Sequence, residues 1–210
     1  SSVTMTDTRI YQNDKRENVG IYIHIPFCLS KCHYCDFCSV SRVDGDVKQR
    51  YVDMLCREIE ESGKSIAQKL DVDTVYFGGG TPTLLSAAQF ERIIETVDIN
   101  FGITSVAEVT SEANPKTVDD EKLKNMRAIG INRLSIGVQS IHDSELRILG
   151  RNHNFGDTLE TLSLARRVGF DNISVDVIFG VDGFGGQSLE QTLQGILALD
   201  VEHISAYHLT

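Results

Sequence analysis

Short apolar runs alternate with amphipathic stretches along almost the whole chain, from Gly20 onwards. Apolar runs rich in Val, Ile and Tyr read as strands, and apolar residues recurring every three or four positions read as helices. Six strands are predicted: Gly20–Ile25, Thr74–Phe77, Val106–Thr110, Arg133–Ile136, Asn172–Ile178 and His203–His208. Their nearly continuous apolar character is that of strands covered on both faces, as in a parallel sheet. Between them, Asp46–Ser62 carries Val47, Tyr51, Leu55 and Ile59 on one stripe, and Ser86–Val97 opens on a serine suited to cap a helix. Asp119–Ile129, Phe155–Val168 and Ser188–Leu199 follow the same pattern, and Gly63, Gly130 and Gly169 stand where three of the helices should stop. This rhythm predicts an α/β fold with a mainly parallel sheet. Six strand–helix units make a partial (βα)6 TIM-like barrel, because a closed eight-unit barrel needs about 250 residues. The barrel domain spans 20–210 behind a polar, flexible N-terminal tail, 1–19. The last strand pattern has no helix after it, so the chain is expected to be part of a longer protein.

Composition narrows the function classes. With 41% hydrophobic and 24% charged residues the chain is an ordinary globular one. It has no apolar run near the ~20 residues of a transmembrane segment, and its N-terminal stretch has no apolar centre like that of a secretory signal. Thirty acidic against 20 basic residues give a net charge of -10, which argues against nucleic acid as a partner. The five cysteines are an odd number without a secretory signal, which excludes a secreted disulfide framework and favours the cytoplasm. Cys56 falls on a helical stripe and reads as a buried free thiol.

The other four cysteines crowd into eleven positions, 28 to 38. Cys28, Cys32 and Cys35 form a CxxxCxxC motif, CLSKCHYC, on the loop after the first strand, on the face where such folds place their chemistry. Three thiolates can ligate three irons of a 4Fe–4S cluster and leave the fourth open to a small ligand. A zinc site using all four cysteines is the alternative, although zinc prefers CxxC pairs with a long spacer between them. Polar residues at the ends of three successive strands, Glu112, Gln139 and Asp176, point to one cavity. Gly78–Pro82 reads as a strand-end turn that a ligand could approach closely. The six histidines show no paired metal spacing and read as ordinary packed or exposed residues.

The strings YIHIPFC, YFGGGTPTLL, SEANP, SIGVQS, LGRNH and SVDVIFG together resemble the radical S-adenosylmethionine superfamily. More narrowly, the chain is similar to the oxygen-independent coproporphyrinogen III oxidase family, which includes the haem chaperones. The resemblance implies a partial (βα)6 barrel, a 4Fe–4S cluster on Cys28, Cys32 and Cys35, and S-adenosylmethionine chelated to the open iron. An electron from the cluster would then cleave the sulfonium to methionine and a 5′-deoxyadenosyl radical. It implies that Tyr22 and Tyr34 contact the cofactor, that Gly79, Gly80 and Thr81 hold its methionyl end, and that Glu112 meets its ribose. Gln139 and Asp176 would line the neighbouring pocket, with Arg151 as the cation for a carboxylate. Implied partners are haem or a porphyrinogen and a reduced flavodoxin- or ferredoxin-type electron donor. No catalytic residue is named beyond these contacts.

Two departures matter. Oxidases of the family carry a fourth cysteine two places after the third, where this chain has Phe37, and Cys38 comes one residue later. That turns the expectation towards the haem-chaperone branch, with oxidation of coproporphyrinogen III and a zinc-stabilised binding module as alternatives. The second is the glycine-rich FGVDGFGGQS, read as a mobile loop at the pocket where relatives have a shorter one. The resemblance implies a C-terminal domain as well, which is expected to lie outside this chain. With a net negative chain, anionic propionates would depend on local cations such as Lys31 and Arg151.

Overall fold

In the computed structural model, which describes residues 17–36, 38–66 and 70–209, six strands form one sheet in which every neighbouring pair is parallel. In chain order the elements are β1 (Glu17–Ile25), β2 (Phe27–Cys28), β3 (Val40–Ser41), α1 (Gly45–Ser65), β4 (Leu70–Gly79), a 3₁₀ turn (Pro82–Leu84), α2 (Ala87–Phe101) and β5 (Ile103–Ala113). Then come α3 (Asp120–Ala128), β6 (Arg133–Gln139), α4 (Asp143–Ile148), α5 (Phe155–Val168), β7 (Ile173–Phe179), α6 (Gly186–Leu197) and β8 (His203–His208). The order β1-β4-β5-β6-β7-β8 adds each strand beside its predecessor, as in the wall of a barrel. With β1 and β8 at opposite edges the wall stays open, giving the partial (βα)6 barrel the sequence predicts. The two-residue strands β2 and β3 pair separately.

The strands are not apolar on both faces. One face of the sheet packs on the helices: Ile23, Val75, Phe77, Val109, Ile136 and Val175 are buried with Phe90 and Ile93 of α2 and Leu123 of α3. Alternate residues point the other way and are polar, among them Tyr76, Thr110, Glu112, Ser135 and Asp176. Side chains alternate across a strand with period two, so the apolar pattern reports only the helix-covered face, and the concave face is left to carry chemistry. Both faces of the central strands are nonetheless buried, Thr110 and Ser135 included, so the reading of strands covered on both faces holds, with the concave face polar instead of apolar.

The element bounds shift for local reasons. β1 begins at Glu17, so the sheet takes three residues assigned to the tail, whose residues 1–16 lie outside the described residues. Gly63 is not a helix stop. α1 continues through it to Ser65, and a side chain there would meet Asn100 of α2 at 2.8 Å, so the glycine lets two helices approach. Gly169 does end α5, with φ 101°. Ser86 caps α2 through a reciprocal pair with Gln89.

Candidate functional site

A cavity of about 340 Å³ opens at the C-terminal ends of the strands, within the usual size of a small-molecule site. Its floor and walls come from separate pieces of sequence: Cys28, Cys32, Tyr34 and Cys35 from the loop after β1, Gly79–Thr81 after β4, and Glu112 and Asn114 at the end of β5. Gln139, Arg151 and Asp176 complete it, with Lys31 and His208 also on its lining.

The cysteine loop is closed at its base by the β2–β3 pair, in which Phe27 lies opposite Val40 and Cys28 opposite Ser41. His24 holds its far end. Tyr22 donates its hydroxyl proton to His24 Nδ1 at 3.0 Å, so Nε2 carries the ring proton and donates to the Cys38 carbonyl at 2.9 Å. The two residues between Cys32 and Cys35 clip the loop to the segment after α4. His33 donates to Ile148 O at 3.2 Å, and Tyr34 Oη accepts from Arg151 Nη1 at 3.3 Å. Burial pushes the Tyr34 phenol up to about 12, so it stays a neutral hydroxyl. The Cys28 thiol is raised by burial first, and by the charges of Cys35 and Cys32 close to it.

The glycine turn is shaped by close approach. Gly79 has φ 113°, and a β-carbon there would lie 2.5 Å from the His24 ring. At Gly80 it would lie 2.5 Å from Phe27 O and 3.0 Å from the Cys28 sulfur. Both positions therefore require glycine.

Two carboxylates face the cavity. Glu112 accepts from Tyr76 Oη and from Gly79 N, both at 3.0 Å, while Asp176 takes Ser135 Oγ at 3.4 Å. Burial raises both above their ordinary range, and the charge of Asp176 adds to the shift at Glu112. Arg151 is the cation among them. Its Nη2 donates to Gly137 O at 2.9 Å and to Asn114 Oδ1, and its Nε to His153 Nδ1 at 3.4 Å. Burial, with Arg151 adding to it, pushes His153 down to about 4, which keeps the ring neutral and able to accept. Gln139 lines the cavity at φ 69° and is 7% exposed, and its Oε1 is buried without a partner among the described residues.

These shifts make a stability prediction. A carboxyl whose folded pKa lies above its unfolded value binds more protons when folded, so stability falls as pH rises from about 4.5 through the raised value, then levels off. Glu112→Gln removes that loss and keeps an acceptor for Gly79 N. Thermal unfolding of the cluster-free chain is expected to show Glu112→Gln melting above the parent at pH 7, with the gap closing towards pH 4.5. Parallel curves across that range would contradict the assignment.

Of the residues singled out from sequence, all but Tyr22 line this one cavity. Tyr22 is 59% exposed and stacks on Tyr76 at 6.1 Å, and it is Tyr76 that reaches Glu112. Asn114, Thr117 and Ser135 also line the cavity, and the sequence reading misses them. Asn114 stands within SEANP, two residues after Glu112 and one past the end of β5. The FGVDGFGGQS loop is anchored rather than loose. Val181 is buried with Leu149 and Ile178, and Tyr34, Phe184 and Leu209 pack against these three beside the cavity. Phe37 lies outside the described residues. All five cysteines are free thiols. No three His, Cys, Asp or Glu among the described residues converge closely enough to hold a single metal ion. Thiols spread around one cavity suit a multi-iron cluster better than a closed tetrahedral zinc site.

Residues 22–196 match the Radical SAM superfamily. The heme chaperone HemW of Bacillus subtilis is 39% identical over 189 residues, covering 90% of this chain and 49% of that protein. The mitochondrial radical S-adenosyl methionine domain-containing protein 1 of Danio rerio is 37% identical over 192 residues, covering 91% and 43%. The solved structure of the coproporphyrinogen III oxidase HemN from Escherichia coli superposes with a TM-score of 0.85 at 29% identity, covering 95% of this chain and 46% of that one. The chain thus spans about half the length of the relatives it matches. It belongs to the radical SAM superfamily.

Proposed function

We propose that this radical SAM chain holds a 4Fe–4S cluster on Cys28, Cys32 and Cys35, binds S-adenosylmethionine beside it, and serves haem metabolism as a haem chaperone. The observation that carries the reading is the single cavity joining three free thiols to the polar ends of four strands. Cluster and S-adenosylmethionine together supply reductive cleavage of the sulfonium, which yields a 5′-deoxyadenosyl radical. The chain's own residues bind and orient. Gly79 and Gly80 offer a backbone without side chains to the methionyl amino group, with Thr81 beside them, and Arg151, whose N–H groups serve His153, Cys32, Tyr34, Asn114 and Gly137, brings the cavity the positive charge that attracts the carboxylate. Glu112 and Asp176 accept from ribose hydroxyls. Gln139 lines the same wall and bounds the neighbouring part of the pocket. Tyr34, backed by Leu149 and Ile178, walls the adenosyl group from water, and Tyr22 supports the site through Tyr76.

Haem as the substrate class rests on the likeness to haem chaperones, and Lys31 and Arg151 are cavity cations for its propionates. Reducing equivalents come from a flavodoxin- or ferredoxin-type donor. Five free thiols favour a reducing compartment such as the cytoplasm, and no helix among the described residues is long and apolar enough to cross a membrane. Oxidative decarboxylation of coproporphyrinogen III is the second reading, favoured by the likeness to that oxidase.

The anaerobically reconstituted chain, with the Bacillus subtilis chaperone as reference, separates the two. Haem uptake, followed by its absorption band, without consumption of coproporphyrinogen III is the expected result. Loss of carbon dioxide from coproporphyrinogen III in the presence of S-adenosylmethionine and reductant would overturn it.

A further inference from the structure

Asn114 stands between Arg151, which reaches Cys32, and Thr81, on the turn beside Cys28. Arg151 Nη1 donates to Cys32 Sγ at 3.7 Å, while Nη2 donates to Asn114 Oδ1. A guanidinium has no acceptor, so the asparagine must turn its oxygen towards Arg151 and its amide protons the other way. Asn114 Nδ2 accordingly donates to Thr81 Oγ1 at 3.0 Å. Thr81 is 4% exposed, and its oxygen is engaged as an acceptor. Its one hydroxyl proton remains to be given, and Cys28 Sγ stands by the same turn, 3.0 Å from where a β-carbon on Gly80 would lie. The orientation of one amide therefore leaves a donor beside each of two sulfurs: Arg151 Nη1 on Cys32 and the Thr81 hydroxyl near Cys28. The asparagine is itself held, because Thr117 Oγ1 accepts from Asn114 N at 3.2 Å and donates to Asn114 O at 2.6 Å.

Hydrogen bonds to ligating sulfurs stabilise the more negative, reduced form of an iron–sulfur cluster and so raise its reduction potential. We propose that Asn114 is a positioning residue that fixes hydrogen bonds onto Cys28 and Cys32, through Thr81 and Arg151, and thereby raises the reduction potential of the cluster. The proposal rests on the cluster reading above and adds to it a residue that touches neither iron nor sulfur. The consequence is practical: a cluster that must accept an electron from a protein donor is easier to reduce when its sulfurs are supplied with donors.

The test is a redox titration, followed by electron paramagnetic resonance, of the reconstituted parent, Asn114→Ala, Thr81→Ala and the double variant, without S-adenosylmethionine. Asn114→Ala is expected to load iron and sulfide as the parent does and to show a more negative midpoint. The double variant is expected to shift by less than the sum of the single shifts, because part of the effect of Asn114 passes through Thr81. Equal midpoints for loaded parent and loaded Asn114→Ala, or additive shifts, would overturn the role of Asn114 and leave the cluster reading standing. A parent that takes up no iron overturns the cluster reading itself. If Asn114→Ala does not load, Asn114→Ser, whose short hydroxyl cannot reach both partners, is titrated in its place against the same two outcomes.

Discussion

Exchanging any one of Cys28, Cys32 and Cys35 for serine leaves the chain unable to take up a four-iron cluster, whereas Cys38→Ser and Cys56→Ser load like the parent. The thiolate is the metal ligand, and a serine hydroxyl at the same place stays protonated at neutral pH. The three thiols line one cavity, so no remaining donor on its wall replaces a lost one in kind. Cys56 is 3% exposed inside α1, packed in the main core. Cys38 is exposed, and it is its backbone carbonyl, not its sulfur, that His24 fixes. Iron and sulfide analysis with the brown absorbance of the reconstituted protein reads the result. Loss of the cluster in Cys38→Ser would mean four thiolate ligands and no open iron, and would contradict the three-cysteine assignment.

Arg151→Ala is expected to weaken S-adenosylmethionine binding by between about 10- and 100-fold, since a hydrogen bond to a charged group contributes about 1.5–3 kcal/mol and each 1.4 kcal/mol is tenfold. The guanidinium is held ready by Gly137 O, Asn114 and neutral His153 before any ligand arrives. Arg151→Lys recovers only part of the affinity, because an ammonium cannot keep the planar set of bonds to Gly137 O, Asn114 and His153 that holds the charge in place. Calorimetry on anaerobically reconstituted proteins of equal iron content measures the effect. Unchanged affinity in Arg151→Ala would show that the carboxylate is held elsewhere.

Much of the barrel is readable because period-two and period-3.6 patterns survive in its helix-facing surfaces. α5 and β8 fall on their predicted residues, Phe155–Val168 and His203–His208. β5 runs for 11 residues where only Val106–Thr110 stands out, since Thr104, Ser105, Ser111 and Glu112 interrupt the apolar run towards its ends. α4 leaves no mark: six residues are less than two helical turns, too short for an apolar stripe to declare itself. The site divides the same way. Glu112, Gln139 and Asp176 are visible as polar interruptions at strand ends. Asn114 is hidden in a turn, where an asparagine is unremarkable, and its importance comes from Arg151, 37 residues away in sequence. Tyr22 is placed in the site by its motif, while the hydroxyl that reaches Glu112 belongs to Tyr76, on the neighbouring strand.

The central claim is that three cysteines hold a cluster with one iron open to S-adenosylmethionine. The most direct measurement is the electron paramagnetic resonance spectrum of the reduced, reconstituted chain, with and without S-adenosylmethionine. A spectrum that changes on addition of the ligand, and changes less in Arg151→Ala at the same concentration, is the predicted result. A cluster spectrum indifferent to saturating S-adenosylmethionine, or a chain that takes up one zinc and no iron, would contradict it.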